Sequence, residues 1–82
     1  MISKDSLIGF IQKAMPDAEV TLTDRTGTMD HYKVQIVSTA FEGKNLLDRQ
    51  RKVYAALDEP MKDGRIHALE IKSQTPDEAA SA

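Results

Sequence analysis

Apolar residues near the start of the chain recur at the spacing of an α-helix. Their separations of three and four residues place them on one helical face. These residues are Leu7, Phe10, Ile11, Ala14 and Met15. Ser3 precedes them as a candidate N-cap, because its hydroxyl can accept a hydrogen bond from the first helical turn. Pro16 ends the pattern, so we predict a first helix that stops before it.

Beyond Glu19 the pattern changes to the alternation of β-strands. Apolar and polar residues alternate over residues 20–22 and again over residues 32–36, which predicts two strands with one buried face each. Residues 24–30 between them are rich in turn formers, so we predict a hairpin with a long loop. A third alternation over residues 66–72 predicts the last strand.

A second helix is predicted between Asn45, a candidate cap, and Leu57. Its apolar stripe would contain Leu46, Leu47, Val53, Tyr54 and Leu57. Gln50 falls at the centre of this stripe, where a buried amide would need hydrogen-bond partners. Residues 60–64 predict a short helical turn that ends at a glycine. The small, polar residues 74–82 predict a frayed tail.

Together these elements predict one α+β domain spanning residues 1–82. Their order is α-β-β-α-α-β, with a three-stranded sheet and the helices on one of its faces. A chain of 82 residues is long enough for one domain and too short for two. Because so small a domain has a thin core, we expect no deep substrate cavity.

Composition narrows the classes of function. The chain has no cysteine, which excludes disulfides, thiol catalysis and any cysteine-based metal site made by this chain alone. No apolar run approaches the roughly 18 residues that span a bilayer, and the first residues do not resemble a signal peptide. We therefore expect a cytoplasmic protein without a membrane partner. Its serines lack a suitably spaced histidine and acid, so we predict no enzyme.

Short motifs along nearly the whole chain resemble the BolA family. They are Tyr32-Lys33-Val34, Ile36-Val37-Ser38, Phe41-Glu42-Gly43-Lys44, Arg49, Arg51, Val53-Tyr54-Ala55-Ala56-Leu57, Ile66-His67-Ala68-Leu69 and Thr75-Pro76-Asp77-Glu78. The resemblance implies a class-II KH-like fold and a non-enzymatic role. Many members of that family have histidine at the position of Gln50, and we expect this difference to be structural.

The resemblance also implies a metal site that is completed by a partner. Proteins of this family form heterodimers with monothiol glutaredoxins and share a [2Fe–2S] cluster with the glutaredoxin and a glutathione. The isolated apo protein would hold no cofactor. The family's characteristic ligand maps to His67, and a second ligand from the hairpin loop maps to His31.

The chemistry of the two histidines is compatible with that role. His31 and His67 are the only histidines, and neutral imidazole is a good ligand for iron. Two nitrogens supply half of the four ligands that a [2Fe–2S] cluster needs. Taken without the resemblance, however, His67 also fits a strand histidine bonded to backbone, and His31 fits an exposed loop residue.

The alternative function is nucleic-acid binding by a transcriptional regulator. Its candidate residues are Lys44, Arg49, Arg51 and Lys52. KH domains clamp the nucleic-acid backbone with a G-x-x-G loop, whereas residues 43–46 lack the second glycine. A solvated helix face, partly neutralised by Asp48, is therefore the favoured interpretation of these cations. A weak homodimer through a sheet edge and a metal-free protein-binding module also stay open.

Overall fold

The computed structural model describes residues 3–24, 31–66 and 68–81. The elements in chain order are α1 (Lys4–Ala14), β1 (Glu19–Asp24), β2 (His31–Val37), the 3₁₀ turn η1 (Thr39–Phe41), α2 (Leu46–Ala56), α3 (Asp58–Lys62), β3 (Ala68–Gln74) and α4 (Pro76–Ser81). The predicted α+β architecture with a three-stranded sheet is confirmed. None of the helices in these ranges is long and apolar enough to cross a membrane.

The sheet has the strand order β1-β2-β3, with β2 in the centre. β1 and β2 are antiparallel, as the predicted hairpin requires. β3 lies parallel to β2, because helices α2 and α3 carry the chain back to the end of the sheet where β2 began. The register runs from His31 paired with Ala68 to Val37 paired with Gln74. Both strands therefore begin at the same end of the sheet.

The core lies between one face of this sheet and the helices. The largest fully buried side chains include Leu7, Ile11, Met15, Tyr32, Val34, Ile36, Phe41, Val53, Leu57 and Ile66. Ser3 caps α1 as predicted, since its hydroxyl accepts a hydrogen bond from the Ser6 N–H at 3.1 Å. The alternate positions of the strands face away from the helices, and Lys33 and Lys72 are exposed there. The predicted alternation of β2 is thus confirmed.

The buried stripe predicted for α2 is wrong at four positions, including the Gln50 placed at its centre. Leu46, Leu47 and Tyr54 are 67%, 55% and 42% exposed, and Gln50 is exposed as well. Arg49 is instead only 8% exposed and lies on the buried side with Val53. A buried guanidinium is tolerated there because its N–H groups donate hydrogen bonds to nearby acceptors. The spacing of apolar residues along the sequence gives no sign of these acceptors.

The end of the chain is also more ordered than its composition suggested. The frayed tail predicted for residues 74–82 includes the helix Pro76–Ser81. Thr75 and Glu78 form a reciprocal capping box: the Thr75 hydroxyl accepts from the Glu78 N–H at 3.2 Å, and the Glu78 carboxylate accepts from the Thr75 N–H at 2.8 Å. Pro76 takes the first helical position, where its missing N–H is harmless.

Candidate functional site

The strand starts place one candidate ligand, His31, beside the first residue of β3. His31 is the first residue of β2, and its backbone pairs with Ala68, the first residue of β3. Backbones of neighbouring strands lie about 4.8 Å apart. His67, which precedes Ala68 in the sequence, lies outside the described residues, as does the hairpin loop at 25–30. The parallel register therefore provides the adjacency of strand ends that the sequence pattern left open.

The segment that leads into β3 is held by several contacts. The Ile66 N–H donates to the Pro60 carbonyl at 3.2 Å, and the Ile66 side chain is buried. The Arg65 guanidinium donates to the Asp63 carboxylate at 2.8 Å and lies 5.7 Å from the centre of the Phe10 ring. These contacts attach the described residues just before His67 to α3 and α1.

Arg49 forms a polar network at the other end of β3. Its guanidinium donates to the Glu78 carboxylate at 2.6 Å and 3.3 Å, and its Nε donates to the Lys44 carbonyl at 2.9 Å. A longer contact of 3.4 Å reaches the Ser73 carbonyl. The Phe41 ring lies beneath the guanidinium at 5.9 Å. Hydrogen bonds from Arg49 and from the Thr75 backbone hold the pKa of Glu78 below its ordinary value.

This network changes the predicted basic surface. Lys44 and Arg51 are exposed and Lys52 is partly buried, but Arg49 is turned into the network. Arg51 lies 3.8 Å from the Asp48 carboxylate. The expectation that all four cations share a solvated helix face is therefore wrong for Arg49, because its charge is already matched by Glu78.

A second polar network joins the α1–β1 turn to the start of η1. The Asp17 carboxylate accepts from the Thr39 hydroxyl at 2.7 Å, from the Thr39 N–H at 2.8 Å and from the Ser38 hydroxyl at 2.7 Å. These bonds, with the Thr39 hydroxyl contributing most, lower the pKa of Asp17 from 3.8 to about 2. Sequence reasoning missed both networks, although the spacing of Thr75 and Glu78 was a recognisable capping signal.

Comparison with known proteins identifies the family. The family described as BolA-like protein matches residues 12–78. The chain belongs to this family. Among curated relatives, this BolA-like chain is 40% identical over 78 residues to protein BOLA2 of Arabidopsis thaliana, covering 93% of this chain and 82% of that protein.

Solved structures show the same fold. A bol-like protein from Babesia bovis has a TM-score of 0.85 and 35% identity, over 99% of this chain and 93% of that chain. The BolA domain of SufE1 from Arabidopsis thaliana has a TM-score of 0.80 and 29% identity, over 95% of this chain and 99% of that domain. The BolA-like fold therefore extends over almost the entire chain, including the end of the sheet where β2 and β3 begin.

Proposed function

We propose that this BolA-like protein is a non-enzymatic adaptor that binds a monothiol glutaredoxin and supplies two ligands to a shared [2Fe–2S] cluster. The observation that carries the proposal is the pairing of His31 with Ala68. It joins the start of β2 to the residue that follows His67, at one end of the sheet. Membership of the BolA-like family provides the class of partner.

The donor set fits such a cluster. His67 is the essential ligand in this proposal, and His31 is secondary. Neutral imidazoles bind iron, and a [2Fe–2S] cluster with two histidines on one iron has precedent in Rieske centres. Thiolates of a glutaredoxin cysteine and a glutathione would complete the four ligands that this cysteine-free chain does not supply. When bound, the cluster supplies one-electron chemistry or is itself the cargo that passes between proteins.

The role of the protein is to position the two imidazoles. His31 begins a paired strand of a packed sheet, and a ligand on such a strand is better defined in position than one on a loop. Tyr32 and Ile66, which are next to the two histidines in sequence, are both buried. The occurrence of a BolA domain in SufE1 further supports a module that works beside other domains or proteins.

Cluster assembly with a purified monothiol glutaredoxin tests the proposal. The two proteins are mixed with glutathione, iron and sulfide, and absorption and circular dichroism are recorded in the visible range. We expect a spectrum specific to the mixture, which His67→Ala abolishes. Lys33→Ala is the matched control, since Lys33 is exposed on β2 near the same end of the sheet. An unchanged spectrum and cluster lifetime in His67→Ala would show that the ligand assignment is wrong.

The alternative, a nucleic-acid-binding regulator, loses one of its four candidate cations to the Arg49–Glu78 pair. Its remaining candidates are Lys44, Arg51 and Lys52. Binding of a defined DNA duplex that falls with salt and with charge reversal at Arg51 and Lys52 would favour this alternative. Absence of binding near physiological salt would count against it.

A further inference from the structure

The large apolar side chains that are exposed in the described part of the chain all lie on α2. They are Leu46, Leu47 and Tyr54. Leu47 and Tyr54 are seven residues apart and so lie two turns apart on one side of the helix. Gln50 lies on the same side, between that pair and Leu46. We call these four residues the outer α2 face. Single exposed apolar residues are ordinary on a protein surface, but a group of them on one helix is typical of a binding surface.

Polar contacts at both ends of the first helical turn hold this face in place. The Asn45 side chain caps α2 by accepting from the Asp48 N–H at 2.8 Å. Arg49, on the buried side of the helix, bonds to the Lys44 carbonyl and to Glu78. A partner that docks on the outer α2 face therefore meets a preformed helix, which reduces the entropy lost on binding.

The charge beside the outer α2 face indicates the chemistry of its partner. Four basic residues and one acidic residue fall between positions 44 and 52, in a chain whose net charge is −2. Arg49 is paired with Glu78, and Arg51 is only loosely paired with Asp48 at 3.8 Å, so Lys44 and Arg51 are the exposed cations close to Leu46 and Leu47 in the sequence. A surface that is apolar in the centre and basic at its edge complements one that is apolar in the centre and acidic at its edge.

The outer α2 face begins far from the start of β2. Arg49 contacts the carbonyl of Ser73, which pairs with Ile36, five residues beyond His31 on β2. At about 3.3 Å per residue, this corresponds to about 16 Å along the sheet. The amino-terminal end of α2, with Leu46 and Leu47, therefore lies well away from the strand starts.

We infer that the outer α2 face docks a second protein through an amphipathic helix whose apolar stripe is bordered by acidic residues. Nucleic acid fits the face less well, because its two exposed leucines gain nothing from phosphates. A lipid surface fits less well because the helix is packed in the fold and the chain is net acidic. The inference rests on the proposed function, because the protein that docks on the outer α2 face is a second partner in addition to the glutaredoxin.

The test uses the full chain labelled with ¹⁵N and a short synthetic amphipathic helix that has leucines on one face and glutamates beside them. A second peptide carries lysine in place of each glutamate. We expect the acidic peptide to shift amide signals of residues 44–54, and the basic peptide to bind at least about tenfold more weakly. The double variant Leu47→Ser, Tyr54→Ser should weaken binding of the acidic peptide by about tenfold or more. Thr21→Ser, on an exposed strand position, should leave it unchanged.

Several results would overturn the inference. These are equal binding of both peptides, shifts elsewhere in the chain, or tighter binding of a DNA duplex or anionic vesicles through the same residues. Self-association that disappears in the double variant would assign the face to a second copy instead. In the cluster assay the double variant should form the mixed cluster normally, and loss of that cluster would assign the face to the glutaredoxin. His67→Ala should behave oppositely, keeping peptide binding and losing the cluster.

Discussion

The guanidinium of Arg49 is bound to the carboxylate of Glu78, which lies 29 residues further along the chain, at 2.6 Å. This pair connects α2 to the capping box of α4, and Arg49 also reaches the Ser73 carbonyl near the end of β3. The same carboxylate accepts the Thr75 N–H, so one acidic side chain both caps α4 and neutralises a buried cation. The end of the chain is therefore tied to the centre of the fold.

Replacing Arg49 by lysine should destabilise the protein although the charge is kept. An ammonium group cannot bond to both carboxylate oxygens and to the Lys44 carbonyl in the same geometry. We expect the free energy of unfolding to fall by about 1–3 kcal/mol, a range reduced from that of fully buried pairs because Glu78 is half-exposed. Urea denaturation followed by far-UV circular dichroism measures it, provided that the m-value is unchanged.

Arg51→Lys is the matched control for this prediction. Arg51 lies two residues away on the same helix, is exposed, and has its nearest acid at 3.8 Å. Its replacement should change stability by no more than about 0.5 kcal/mol. If the two substitutions lowered the free energy of unfolding equally, the Arg49–Glu78 pair would contribute no more to stability than the exposed Arg51 does.

The second helix shows why a hydrophobic pattern predicts an element better than its orientation. Its cap, length and ends followed from residues 45–57, and the helix is present. Its buried side did not follow, because the orientation depends on acceptors for Arg49 that come from three separate parts of the chain. Leu46 and Leu47 looked like core residues by polarity alone, and nothing local distinguishes a core leucine from one at a binding surface.

The candidate metal site stays a prediction, and it rests on a different kind of evidence. Periodicity placed His31 and His67 near strand ends, but only the parallel pairing of β2 with β3 makes those ends neighbours. That pairing depends on the crossover through α2 and α3, a non-local property of the fold. The assignment of ligands came from the family resemblance, because two histidines without the rest of the donor set have no distinctive spacing.

Asp17 predicts a pH dependence of stability. Its pKa is lowered from 3.8 to about 2 because the Thr39 side chain, the Thr39 backbone and the Ser38 hydroxyl donate to the charged form. A lowered pKa stabilises the folded state above about pH 4, and this contribution is lost as the pH falls towards about 2. Asp17→Asn should therefore be less stable than the original protein at neutral pH.

The difference between these two proteins should shrink over the same acidic range. Thermal unfolding at a series of pH values between neutrality and strong acid measures it. The lowered pKa of Glu78 acts in both proteins and cancels in the comparison. A stability difference that does not depend on pH would show that the Asp17 bonds do not favour the ionised carboxylate.

Two glycines should respond to alanine in opposite directions. An added Cβ would meet no heavy atom within 4 Å at either Gly9 or Gly43, so packing is equal at both sites. Gly9 lies within α1, where alanine is the better helix former, and Gly9→Ala should stabilise by up to about 1 kcal/mol. Gly43 has a φ of +73°, and Gly43→Ala should destabilise by about 1–2 kcal/mol. Calorimetric melting temperatures that shift in the same direction would contradict this assignment.

Replacing His31 by cysteine provides the most direct test of the second ligand. If His31 binds iron, a thiolate at this position keeps the ligand count and adds a negative charge, so His31→Cys should still form the mixed cluster with a glutaredoxin. Its reduction potential should become more negative by on the order of 100 mV, since replacing histidine by cysteine ligands lowers the potential of [2Fe–2S] centres. His31→Ala should form a shorter-lived cluster, because one ligand is lost. Spectroelectrochemistry of the three proteins measures these changes, and identical potentials and lifetimes would show that His31 is not a ligand.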